Sequence, residues 1–405
     1  MDGEAAFILL FVLATGVAIA VRRVPVPYTV ALVLTGLVIG ALKLFPAPHL
    51  TKDLLFEAFL PGLIFEAAFQ MDSREFRANW MTIGSLAVPG VIASIALTTW
   101  VLTPLIQTLP LATGFTWEEG LVFGALISAT DPVAVVALFR NLGVPRRLTT
   151  LLEGESLLND GTAIVFFTLS LALLAGRSAT PGALVEQFVL IVGGGALAGL
   201  SIGAACAWLI RRIDDPMIEI ALMTIAAYGS FFTAESLQVS GVIATVAAGM
   251  LCGSPEVRRS MSESTRIACE SFWEYVVFAL NSIVFLLIGL EVPLAALAHY
   301  WLPIVVAYLA VTLSRGFVVG VGRALAAAGT DPPPWRWSLV LTWGGLRGAL
   351  PMVLVLTLPR TFPFRDLLVA MTFGVAVLSI LVHGLTMRWL LARLGVVATP
   401  VRGAA

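Results

Sequence analysis

Charge is what this sequence has least of. Only 12% of its 405 residues are Asp, Glu, Lys or Arg, against 59% hydrophobic, and the mean hydropathy is +0.97. That composition excludes a water-soluble protein and places the chain in lipid. The 24 basic and 25 acidic residues leave a net charge of −1, so there is no basic field to hold nucleic acid and no acidic tail to act as a partner arm. Cysteine is scarce as well. Cys206, Cys252 and Cys269 stand in or beside apolar runs without metal-type spacing, and the histidines His49, His299 and His383 are scattered. Neither a disulfide scaffold nor a metal enzyme is indicated, and no cofactor is expected. A cleavage site is also missing: the first apolar stretch, 5–21, is followed by Arg22 and Arg23 and reads as a retained span.

What the sequence does have is a series of long apolar runs. A bilayer core needs roughly 20 helical residues to cross it, and thirteen segments qualify, approximately 5–21, 28–45, 54–70, 81–102, 119–140, 151–175, 184–210, 216–237, 239–254, 267–290, 302–327, 337–358 and 366–392. The connections are short, so residues 1–405 read as one all-α polytopic membrane domain. Basic residues gather in cytoplasmic loops, and with the N-terminus outside most of them do so. Arg22, Arg23, Arg74, Arg77, Arg146, Arg147, Arg258 and Arg402 are among those on the inside, while Lys43, Lys52, Arg177, Arg360 and Arg365 fall outside and Arg315 and Arg347 lie within spans. An odd number of spans with the C-terminus cytoplasmic fits this pattern. Short loops and a brief tail after Val397 point to a bacterial or archaeal inner membrane.

Thirteen spans divide into two six-helix sets around a connector, the arrangement of inverted-repeat transporters. Spans five and twelve then correspond, and both carry helix-breaking chemistry at mid-depth: Thr130-Asp131-Pro132 in one, Gly344-Gly345-Leu346-Arg347-Gly348 with Pro351 in the other. Ordinary packing kinks are the plain alternative. An ionised side chain at the bilayer centre costs about 2.5–3.5 kcal/mol on insertion scales, yet Glu66, Asp131, Glu155, Asp160, Glu235, Arg315 and Arg347 all fall in spans. Such a concentration on the broken spans and their neighbours calls for a functional explanation.

Residues three and four apart share a helix face, so Ser156, Asn159 and Asp160 converge. Glu155 lies about 140° around the helix from Asp160 at roughly 100° per residue, which gives the two carboxylates separate work. Asp160 and Ser156, with Asp131 on the neighbouring span, offer hard oxygen ligands for a small cation. Glu155 is free to pair with an arginine, Arg315 or Arg347. Pro132 lacks an amide hydrogen and biases Asp131 away from helix, freeing carbonyls near Thr130; Arg347 or Asp131 can neutralise the facing half-helix ends. A carboxylate in a desolvated cleft is neutralised by a proton or by a bound cation. If the site turns only when neutralised, the two ions are obligatorily exchanged.

Three runs, Ser128–Val133, Glu153–Gly161 and Gly344–Ala349, resemble the monovalent cation/proton antiporters, specifically the Asn-Asp branch of prokaryotic and animal sodium/proton exchangers, and the resemblance extends over nearly the whole chain. It implies thirteen helices and a homodimer. It also implies a moving core (spans 3–6 and 10–13) holding two crossed broken helices, beside a static interface domain (spans 1–2 and 7–9). To Asp131, Asp160, Ser156 and Thr130 it assigns Na⁺ coordination, to Asn159 a supporting role, and to Glu155 an ion pair with Arg315. Exchange of one Na⁺ for one H⁺ is implied because the neighbour of Asp160 is Asn159 and not a second acid; Li⁺ is expected alongside Na⁺, with K⁺ left open. Glu66 after Pro61-Gly62 resembles an acidic position at the entrance funnel of some members. Two other readings are a membrane-embedded aspartyl hydrolase using Asp131 and Asp160 as an acid/base pair, and a passive channel or cation sensor.

Overall fold

The computed structural model describes residues 3–23, 26–43, 54–174, 180–292, 294–326 and 333–396. His49, Lys52, Arg177, Arg402 and the tail after Val397 lie outside them. Regular structure among the described residues is entirely helical. The chain begins with α1 (Gly3–Val21), α2 (Tyr28–Leu42) and α3 (Leu60–Gln70), the last entered through a π-helical turn at Leu54–Phe59. It continues with α4 (Ser73–Ser85), α5 (Val91–Gln107), α6 (Trp117–Ile127), α7 (Val133–Leu142), α8 (Arg146–Leu174) and α9 (Pro181–Ile210). Then come α10 (Pro216–Thr224), α11 (Ser230–Ser236), α12 (Gly241–Cys252), the short α13 (Pro255–Arg258) and α14 (Glu263–Leu290). It ends with α15 (Leu294–His299), α16 (Trp301–Ala326), α17 (Trp335–Gly344), α18 (Ala349–Leu356) and α19 (Arg365–Leu394).

Every apolar segment marked out by the sequence contains helix, but several are interrupted. A π-helical turn at Leu86–Gly90 joins α4 to α5, where Pro89 withholds its amide from the ladder; another at Ile225–Gly229 joins α10 to α11. Among the described residues, seven helices are long and apolar enough to cross a membrane, or eight if the bent pair α17–α18 is one span. Helix length alone therefore gives fewer crossings than thirteen: the breaks leave α6, α7, α17 and α18 too short to span singly, and α2 and α12 are themselves only 15 and 12 residues long.

Two breaks matter most. Between α6 and α7 the residues from Ser128 to Pro132 are not helical, and between α17 and α18 the chain bends by 44° through Gly345–Gly348. The two breaks touch: Asp131 donates its amide to the carbonyl of Leu346 at 2.8 Å. A β-carbon on Gly348 would stand 2.3 Å from Asp131 Oδ2, and one on Gly345 would stand 2.1 Å from Arg315 Nε. Those glycines are what let the backbone come so close.

Gly195, Gly199 and Gly203, four residues apart on α9, form a stripe that packs inward. β-Carbons at Gly195, Gly199 and Gly203 would meet Ser240 O, Ala244 O and Ala248 Cα of the α12 region at 2.5, 2.0 and 2.7 Å, the close approach that small residues permit between membrane helices. The stripe at Gly316 and Gly320 does not behave this way. Gly316 meets a Thr342 methyl at an ordinary 3.4 Å and Gly320 has nothing within 4 Å, so it is not a close-approach face. Trp80, Trp100, Trp301 and Trp389 are all exposed, as interface anchors should be.

Gly199→Leu should destabilise the fold by about 1–3 kcal/mol through overpacking, read as a lowered thermal midpoint in detergent. Gly193→Leu is the control, since nothing lies within 4 Å of its β-carbon position. Equal midpoints for the two variants would mean that the α9–α12 contact is not tight.

Candidate functional site

The length of α8 allows it to present two different faces at mid-depth. Glu155 is turned to one side and is buried. Arg315 of α16 grips it with both arms, Nη1 donating to Oε1 at 3.0 Å and Nη2 to Oε2 at 2.8 Å. Arg315 also donates to the carbonyl of Leu341 in α17 from Nε at 3.2 Å and from Nη2 at 3.0 Å. One bidentate, charge-assisted pair thus ties α8, α16 and α17 together. Arg347, the other arginine in the spans, makes no ion pair among the described residues. Its Nη1 donates to the carbonyls of Ser128 and Ala129 at 2.7 and 3.1 Å, and its amide donates to Ser379 Oγ at 3.0 Å. It places positive charge where the C-terminal end of α6 exposes negative partial charge.

The other face of α8 looks into a cavity of about 130 Å³. Thr130, Asp131, Glu153, Ser156 and Asp160 line it, with Glu66 of α3 and Asn281 of α14 opposite. The hydroxyls of Thr130 and Ser156 are 2.8 Å apart and hydrogen-bonded. Asp131 Oδ1 accepts the amide of Val133 at 3.0 Å, which sets a negative charge at the start of α7 and complements that half-helix dipole. Asp160 differs from all of these. It is half-buried, yet no hydrogen bond or ion pair to its carboxylate is found among the described residues. Just behind the cavity, Asn159 Nδ2 donates to Ser128 O at 2.9 Å and to Thr130 Oγ1 at 3.2 Å, while its Oδ1 is buried without a partner. Asn159 therefore braces the break and does not line the cavity.

The structure thus brings Thr130, Asp131, Ser156, Asp160 and Glu66 onto one cavity, keeps Asn159 one layer back, and separates Glu155 and Arg315 onto the opposite side of α8. Glu235 belongs to neither group. Its Oε1 accepts the amide of Gly241 at 3.1 Å, an ordinary helix-start contact. Glu153 and Asn281 line the cavity without having been singled out from the sequence. Glu153 was findable, since it stands i, i+3, i+7 with Ser156 and Asp160; Asn281 lies within the apolar run of α14 and has no such signal.

The family model described as "Sodium/hydrogen exchanger, transmembrane" matches residues 7–393. Among relatives, the Na(+)/H(+) antiporter ApNhaP of Aphanothece halophytica is 36% identical over 375 residues, 92% of this chain and 70% of that protein. The Na(+)/H(+) antiporter NhaH of Halobacillus dabanensis is 35% identical over 404 residues, 96% of this chain and 97% of that protein. In fold, the chain is similar to the sodium proton antiporter MjNhaP1 from Methanocaldococcus jannaschii, with a TM-score of 0.77, 22% identity, and coverage of 97% of this chain and 99% of that one.

Glu155→Ala strands a buried guanidinium and should destabilise by about 3–5 kcal/mol, as breaking a buried pair does. The measure is the thermal midpoint of the purified protein. Glu155→Ala with wild-type melting would show that the pair does not hold the three helices.

Proposed function

The chain belongs to the sodium/hydrogen exchanger family, and from that premise we propose that it exchanges Na⁺ for H⁺ across a cell membrane by alternating access, with both ions competing for Asp160 and Asp131. One observation carries the reading: Asp160 lines the cavity between the two breaks, beside Asp131 and the Thr130 and Ser156 hydroxyls, with no hydrogen bond or ion pair to its carboxylate among the described residues. Glu155 has Arg315 and Asp131 has the start of α7, so Asp160 must take its neutralising partner from outside. A proton suffices, and so does a small hard cation. Thr130 and Ser156 supply hydroxyl oxygens beside the two carboxylates, the oxygen-only set that hard cations take. Asn159 positions Thr130 and the carbonyl of Ser128.

Coupling follows from charge. With Asp160 empty the cavity carries a net negative charge that hydrocarbon resists moving, whereas with either ion bound the barrier falls. The exchange is one Na⁺ for one H⁺, Li⁺ is accepted, and Glu66 lies on the access path. We assign thirteen crossings in two inverted six-helix sets, the N-terminus outside and the C-terminus cytoplasmic. A core of spans 3–6 and 10–13 moves against an interface of spans 1–2 and 7–9, in a homodimer. The contact between the two breaks supports this assignment, because an inverted repeat places its interrupted helices against one another at the transport site. An aspartyl hydrolase has no use for an arginine-capped break or for a locked Glu155, and membership of a transporter family leaves it without support.

The test is a pH-jump assay in proteoliposomes with Na⁺, Li⁺ and K⁺ compared and the membrane potential clamped. Wild type should move protons in response to Na⁺ and Li⁺, and Asp160→Asn should abolish the response while the protein stays folded. Sodium-driven proton movement in Asp160→Asn would refute the assignment, and a sodium current without proton counterflow would reveal a channel.

A further inference from the structure

Glu153 has no part in the scheme so far, although it lines the same cavity as Asp131 and Asp160. It lies seven residues before Asp160, roughly 10 Å nearer the start of α8 at 1.5 Å per residue. Its partner is Arg140 in the last turn of α7. A single bond of 3.3 Å joins Arg140 Nη2 to Glu153 Oε1, with the side chains 55% and 18% exposed. The contrast with Arg315–Glu155, two short bonds at 10% and 4% exposure, is chemical. The inner pair is desolvated and permanent, while the outer pair is hydrated, singly bonded and easily displaced.

We propose that Arg140 is a tethered competitor for the transported cation: Glu153 is the carboxylate an incoming cation meets before Asp160, and Arg140 sets the cation concentration needed to capture it. This rests on the antiport reading of the same cavity. Arg140 also lies within electrostatic reach of Glu66, with Glu274 nearby, so it offsets part of the negative charge of the mouth and the largest part at Glu153, the acid it touches. When the arginine is removed, an uncompensated carboxylate there attracts cations and raises their local concentration. Arg140 acts through Glu153 and is a positioning residue, so its signature is in KM and not in kcat.

The experiment measures the Na⁺ dependence of exchange in proteoliposomes for the full chain. Arg140→Gln should lower KM for Na⁺ by about two- to fivefold, the range open to a partly exposed ion pair, with kcat within about twofold. Glu153→Gln should raise KM, and adding Arg140→Gln to it should lower KM by clearly less than Arg140→Gln does alone, since only the longer-range effect on Glu66 remains. Arg140→Glu, a second variant should the first not fold, should lower KM further. A KM at or above that of wild type in both Arg140 variants overturns the proposal, as does an equal effect of Arg140→Gln in the Glu153→Gln background. Asp160→Asn is run alongside. Exchange surviving there sinks the antiport site itself, whereas a silent Asp160→Asn with an unmoved Arg140→Gln sinks the competitor alone.

Discussion

A charge within hydrocarbon must be neutralised, and the polar groups around α8 differ chiefly in what neutralises them. Glu155 and Arg315 are both buried and neutralise each other within bonding distance. The guanidinium of Arg347 is spread over the carbonyls that end α6, and Asp131 rests on the first amide of α7. Asp160 lines the cavity with no hydrogen bond or ion pair to its carboxylate among the described residues.

The peptide backbone obeys the same constraint. Breaking two helices at depth frees amides and carbonyls that lipid cannot satisfy, and the breaks satisfy each other. The amide of Asp131 reaches Leu346, the amide of Arg347 reaches Ser379 Oγ, and Asn159 and Arg347 share the carbonyl of Ser128. A rigid frame results, in which the broken segments are held by named bonds and not left as loose loops. Glycine at 345 and 348 is the steric condition for it, since any side chain there would meet Arg315 or Asp131.

Two arginine–glutamate pairs on one helix differ in depth and in bonding. The doubly bonded Arg315 bridges α8, α16 and α17 and gives the cavity a fixed wall. The singly bonded Arg140 stands where α7 and α8 open towards water. Depth decides the difference: the same two residue types make a structural clamp when desolvated and a displaceable contact when hydrated.

The sequence by itself determined the class of the molecule and most of the cavity. Composition forced it into lipid, Pro132 and the glycines from 344 to 348 marked both breaks, and helical spacing alone grouped Ser156 with Asp160 and turned Glu155 away, because those relations are local and follow from 3.6 residues per turn. Tertiary structure decided everything that depends on which helices meet. The choice of Arg315 over Arg347 as the partner of Glu155 spans 160 positions of chain, and no periodicity within one helix reports on another. The inward packing of Gly195, Gly199 and Gly203 against α12, the idle face of Gly320, and the arrival of Glu66 and Asn281 opposite Asp160 are of the same kind. They are set by how helices pack side by side, which no local rule encodes.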